Sequence, residues 1–134
     1  MLQFFDLMAS SSSALSFTFP NISPFMAHKL AGPNNYLPWK CQLVPTLNTY
    51  ELIGIVDGTE PCPPKTLPPS SNMEEPSLNP AYSLWFRKDQ FILSWINATL
   101  AEFVLSTTYG LRTSYQIWQF LATKFTSQSR SRIA

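Results

Sequence analysis

The chain has 134 residues, of which 45% are apolar, 14% aromatic and only 13% charged, and its 9 basic and 8 acidic side chains leave a formal net charge of +1. That length suits one domain with an ordinary core, and high hydrophobicity beside so little net charge excludes a wholly disordered chain. Near neutrality also argues against a basic nucleic-acid footprint, and no apolar run approaches the roughly 18 residues of a membrane-spanning helix.

In chain order, residues 1–27 hold the serine run Ser10–Ser13, two prolines and no periodic pattern, which predicts a disordered Ser-rich tail. Its apolar residues, Phe4, Phe5, Leu15, Phe17 and Phe19, leave docking onto the domain open. Asp6 stands where a secretory signal carries positive charge, and no basic residue precedes Lys29. The expectation is therefore a cytoplasmic protein, with the nucleus left open. In that compartment Cys41 and Cys62 read as reduced, partly buried thiols. The glycosylation patterns at Asn21-Ile22-Ser23 and Asn97-Ala98-Thr99 then read as chance matches.

A helix is predicted over 35–50. Asn35 is a suitable N-cap and Pro38 falls in the first turn, where its missing donor costs nothing. Tyr36, Trp39, Leu43, Leu47 and Tyr50 follow at spacings of 3, 4, 4 and 3 on one narrow face. Pro45 lies off that face and bends the helix or loosens its middle. Leu52, Ile53, Ile55 and Val56 continue as a helix end, closed by the turn signal Asp57-Gly58. All 12 prolines lie before residue 81, seven of them from Pro61 to Pro80. Residues 60–79 are therefore read as a proline-rich loop without strands.

Asn79-Pro80 opens the next helix as N-cap and first residue. Leu84, Trp85, Phe91, Ile92, Trp95 and Ile96 share its apolar arc, with Lys88 inside that arc and reaching for water. A further helical segment is expected from Thr99 to Thr107, with Leu100, Phe103 and Val104 inward and Gly110 as its left-handed cap. Thr113-Ser114-Tyr115-Gln116 has the capping-box pattern. It opens a last helix in which Tyr115, Trp118, Leu121, Ala122 and Phe125 share a face. The fold class is all-α: about four helices over 28–134, interrupted by the proline-rich loop.

These residues resemble a known family. Lys29-Leu30-Ala31-Gly32, Asn35-Tyr36 and Trp39-Lys40 are similar to the opening of the Gag protein of plant copia-type LTR retrotransposons. The resemblance continues through Leu52-Ile53-Gly54, Asp57-Gly58-Thr59 and Pro61-Cys62-Pro63-Pro64 to Asn79-Pro80, Trp85, Asp89-Gln90 and Ser94-Trp95. It ends with Leu111, Ile117-Trp118, Phe125 and Ser127-Gln128-Ser129-Arg130, covering about 100 of the 134 residues. Pro33 and Asn34 enlarge a segment that is tighter in many relatives. The resemblance implies the N-terminal, capsid-like part of a Gag protein. Such proteins continue into further helices and a zinc knuckle, so a truncated copy or fragment is expected. Leu30, Gly32, Asn35, Tyr36, Trp39, Asp57, Gly58, Pro80, Trp85, Trp95 and Trp118 carry the family pattern and are expected to serve the fold.

Enzyme chemistry finds no candidate group. The one histidine, His28, has no carboxylate, cysteine or second histidine near it in sequence. Asp57-Gly58-Thr59 has the wrong order for an aspartic-protease motif and reads as a turn, and Glu74-Glu75 as a solvated pair. No cofactor, metal or small-molecule substrate is expected. The four tryptophans are read as core rather than as base-stacking platforms. Lys124, Arg130 and Arg132 offer RNA weak, salt-sensitive contact at most. Leu93, Ile117 and Phe120 fall outside the predicted apolar faces. Together with Arg130 and Arg132 they form a candidate association surface for a second copy or another Gag-like chain. The alternatives are a weak RNA-associated packaging module and a host-domesticated protein-interaction module.

Overall fold

Asn79 and Pro80 open one long helix of this chain. A computed structural model describes residues 17–20, 28–69 and 75–133, with side chains described as far as Thr126. The described residues form a 3-10 turn (Pro33–Asn35), α1 (Tyr36–Thr49), α2 (Ile53–Asp57), β1 (Thr66–Leu67), β2 (Ser77–Leu78), α3 (Pro80–Ala98), α4 (Glu102–Leu105) and α5 (Ser114–Ile133). The protein is mostly helical, as its periodicity predicts, with five α-helices among the described residues where about four were expected. The chain divides into two compact units, one of Asn21–Pro61 with Asp89–Ala134 and the other of Met1–Pro20 with Cys62–Lys88, so α3 belongs to both.

In the first of these, α1 buries Tyr36, Trp39, Leu43 and Leu47, the face that the 3-4-4 spacing marks. Pro45 sits inside the helix on its exposed side. The helix ends in a Schellman turn: the Leu52 amide donates to Leu47 O at 2.7 Å and the Glu51 amide to Asn48 O at 3.1 Å. Glu51 takes the left-handed position at φ 57° that glycine usually fills. Buried Leu52, Ile55 and Val56 follow, the last two within α2. The apolar continuation after Tyr50 is thus a separate short helix, and it packs against α5, as does the 3-10 turn. The later part of α3 buries Ile92, Trp95 and Ile96.

Two segments differ from expectation here. The stretch 99–107 is helical only over Glu102–Leu105, because Leu100 leaves the helical path to form a parallel bridge with Leu30. The Leu30 amide donates to Thr99 O at 2.7 Å and the Ala101 amide to Leu30 O at 2.9 Å. The short helix then points Phe103 outward, 63% exposed, while Leu100 and Val104 are buried. Gly110 does adopt a positive φ of 96°, but in the turn closed by Leu111 N–H to Thr108 O, four residues beyond α4's cap, Ser106.

In the other unit the proline-rich segment contains a short antiparallel ladder, with Thr66 opposite Leu78 and Leu67 opposite Ser77. No proline falls within it, which is how strand pairing survives in so proline-dense a loop. Asn79 fastens this segment to the start of α3. Its Oδ1 accepts from the Ala81 amide at 3.0 Å, the expected N-cap bond, and its Nδ2 donates to Pro64 O at 2.8 Å. The Asn79 amide adds a bond to Lys65 O at 2.9 Å.

Candidate functional site

The residues of the Lys29–Lys40 pattern converge on one buried frame. Asn35 does not cap α1 with its side chain. Instead its carboxamide turns back: Oδ1 accepts from the amides of Ala31 at 2.9 Å and Gly32 at 3.2 Å, and Nδ2 donates to Lys29 O at 2.8 Å. Those three bonds shape the turn that presents Leu30, completely buried, to the Thr99–Ala101 strand-like segment. The 3-10 turn takes over the work of starting the helix, which is why the asparagine is free for this role.

One turn further on, Trp39 reaches the same segment. Its indole Nε1–H donates to Thr99 Oγ1 at 2.8 Å, and the Thr99 hydroxyl donates to Ile96 O at 2.7 Å. Both groups are buried and their donors are consumed, so the pair acts as a fastener. Around it the rings interleave: Tyr36 stacks on Trp39 with centroids 5.9 Å apart, Trp39 meets Trp118 at 5.8 Å, and Tyr36 meets Phe125 at 6.0 Å. These are favourable aromatic separations. Burial pushes the Tyr36 phenol above its ordinary value of 10.0.

Asp57 and Gly58 form a second joint. Asp57 Oδ1 accepts from the Thr59 amide at 2.9 Å and the Thr59 hydroxyl at 2.7 Å, and these bonds hold its carboxyl below the usual value. Gly58 ends α2 at φ 86°, and a Cβ there would stand 3.1 Å from Tyr115 Cε2. The positive φ favours glycine there, and any larger residue would also have to displace the Tyr115 ring.

A third joint involves Asp89, which is only 1% exposed. Its Oδ1 accepts from the Ser114 amide at 2.9 Å and the Ser114 hydroxyl at 2.7 Å, while Gln90 Nε2 donates to its Oδ2 at 2.9 Å. A carboxylate from α3 thus satisfies donors at the first turn of α5, where the helix dipole favours negative charge. The predicted capping box is half present. The Gln116 amide donates to Thr113 Oγ1 at 3.1 Å, whereas Gln116 Oε1 accepts from the Arg112 amide at 2.8 Å. Sequence reasoning missed the Asp89–Ser114 joint. An aspartate between Lys88 and Gln90 reads as surface, and its only signal was that Asp89-Gln90 belongs to the family pattern.

That joint fixes the rotation of α5 and corrects the association surface. The buried face runs through Ser114, Ile117, Trp118, Leu121 and Phe125, so Ile117 is completely buried and Tyr115, expected inside, is 47% exposed. Leu93 and Phe120 are half-buried. Lys124 Nζ lies 5.6 Å from the centroids of both Phe120 and Phe125. Arg130 and Arg132 lie on the helical backbone of α5, with side chains outside the described residues.

The remaining candidates are quickly placed. Trp95 is buried, Trp85 half-buried and Pro80 the exposed first residue of α3. Cys41 and Cys62 are free and exposed rather than partly buried, since α1 presents Cys41 away from its apolar face. His28 and Glu75 are exposed, and Glu74 lies outside the described residues. The Asn97-Ala98-Thr99 pattern has its threonine hydroxyl locked in the core. Asn21-Ile22-Ser23 lies outside the described residues. Among the described residues no three His, Cys, Asp or Glu side chains gather as a metal site, and no helix is long and apolar enough to cross a membrane.

Comparison with known proteins points the same way as the motifs. The chain is 32% identical over 99 residues to a retrovirus-related Pol polyprotein from transposon RE2 of Arabidopsis thaliana, a match covering 74% of this chain and 7% of that protein. It is 27% identical over 128 residues to the corresponding polyprotein from transposon RE1 of the same plant, covering 96% of this chain and 8% of that protein. The likeness supports a copia-type retroelement origin. The chain spans less than a tenth of the length of either relative. No protein-family profile and no solved structure matches it.

Proposed function

We propose that this chain is a non-enzymatic, Gag-like domain, similar to the N-terminal part of a copia-type Gag, that works by helix-mediated association with copies of itself or with other Gag-like chains. The observation that carries this reading is the use made of the family pattern. Leu30, Asn35, Tyr36, Trp39, Trp95 and Trp118 are core or backbone-fastening residues, and Gly58 turns the end of α2 at a positive φ. A pattern devoted to packing suits a protein that builds shape. The candidate surface is reduced to half-buried Leu93 and Phe120, with Lys124 against the Phe120 ring, and Ile117 is removed from it; Arg130 and Arg132 stay in the proposal by their place on α5. RNA contact through these few cations is weak or absent in this reading, and the place of action is the cytoplasm.

The test is sedimentation velocity of the purified full chain in physiological salt, with and without single-stranded RNA. The reading expects reversible self-association that Phe120→Asp weakens and RNA leaves unchanged. A monomer that binds RNA tightly would overturn it in favour of a packaging module.

A further inference from the structure

In the unit that contains the first half of α3, the described residues 17–20 do not stand apart. Phe17 and Phe19 are half-buried with exposed Thr18 between them, the alternation of an extended segment with one face docked. Their rings meet edge to face, with centroids 4.9 Å apart and planes at 74°. Two successive cations of α3 then close on them: Arg87 Cζ lies 5.4 Å from the Phe19 centroid and Lys88 Nζ 4.9 Å from that of Phe17. Each separation is within cation–π range. One turn earlier Tyr82 stacks on Phe86 at 6.0 Å, and Phe86 is exposed. Lys88, which looked like a blemish in an apolar arc, is thus matched to an aromatic partner.

We propose that Phe17–Pro20 is an exchangeable strap whose seat is Arg87 and Lys88 on α3, and that in assemblies it docks on the seat of a second copy of this chain. This rests on the assembly reading above and gives it a contact. The argument is chemical complementarity. The cationic part of the seat lies on two adjacent residues of one helix, and the ring partners lie within a four-residue segment. A second copy offers the same seat, so exchange conserves the contacts while joining two chains. Cation–π contacts at accessible sites are individually weak, so the seat opens readily. Reciprocal exchange makes the second docking event intramolecular and strengthens the pair.

Two full-length variants test this. Phe17→Ser with Phe19→Ser leaves a seat without a strap, and Arg87→Gln with Lys88→Gln leaves a strap without its seat. Circular dichroism and thermal melts check that both stay folded. In sedimentation velocity the wild type is expected to self-associate and each variant alone to do so about tenfold more weakly, the scale of losing two such contacts. An equimolar mixture is expected to pair more strongly than either variant alone, through the one intact strap on the other chain's intact seat, and more weakly than the wild type, which can exchange two straps. If wild type and both variants associate equally, the strap is overturned while the assembly reading stands. If the wild type stays monomeric, both fall.

Discussion

The helical frame around Trp39 and the proline-rich segment before α3 solve the same problem in opposite ways. Each relies on an asparagine carboxamide that binds backbone: Asn35 folds back onto Lys29, Ala31 and Gly32, and Asn79 joins Pro64 to Ala81. Around Asn35 the chain then buries tyrosine, tryptophan and leucine at helical spacing. Around Asn79 it leaves Leu67 and Leu78 exposed on a two-stranded ladder. Apolar content alone therefore does not say where a core lies. A core forms where the backbone can satisfy itself in a helix, and proline density denies that to the loop.

The contrast is tested most strongly by side-chain truncation. Trp39→Ala should destabilise the protein by about 3–5 kcal/mol in urea unfolding, whereas Leu78→Ala should change it by less than about 0.5 kcal/mol. Equal losses would erase the distinction between the two regions. Next in size, Asp89→Ala should cost about 2–3 kcal/mol, since it strands the buried Ser114 donors and removes a carboxylate from the start of α5. Hydrogen exchange should show the loss first at the amides of Ser114 and its neighbours.

Asn79→Ala should cost about 1 kcal/mol, as for an ordinary N-cap, with faster exchange confined to the start of α3. The smallest effect is alkaline. The phenol of Tyr36 is raised in the folded state, so the unfolded chain loses its proton first. The stability it contributes is complete below pH 10 and is lost as pH climbs from there through the raised folded value. Tyr36→Phe should flatten that part of the pH profile in thermal melts above pH 10, and an unchanged profile would assign the alkaline loss to other groups.

Much of this architecture was legible from periodicity. The buried face of α1, the Asn79 cap and the buried residues Ile92, Trp95 and Ile96 follow from spacing and capping rules alone. Leu30, Tyr36, Trp39, Trp95 and Trp118, which carry the resemblance, are buried, but their bonding partners could not be read from the pattern. Asn35 looked like a cap because local rules see only forward along the chain, while its partners lie behind it. Phe103 looked inward because nothing local signals that Leu100 will leave the helix to pair with a residue 70 positions earlier. The rotation of α5 was illegible for the same reason: it is set by a carboxylate 25 residues away. Tertiary hydrogen bonds outrank a helical wheel when the wheel is nearly balanced. Tyr115 and Ile117 compete for the inside, and Asp89 decides between them.

The central claim is that the tryptophan at the heart of the family pattern is a fastener between α1 and the segment after α3, leaving any partner to the surface. A double-mutant cycle on Trp39→Phe and Thr99→Val, followed by equilibrium urea unfolding of the full chain, measures that bond directly. The two changes should be coupled by about 1 kcal/mol, the pair together costing less than the sum of the singles. Additive losses would contradict the claim, because Trp39 and Thr99 would then contribute to stability independently.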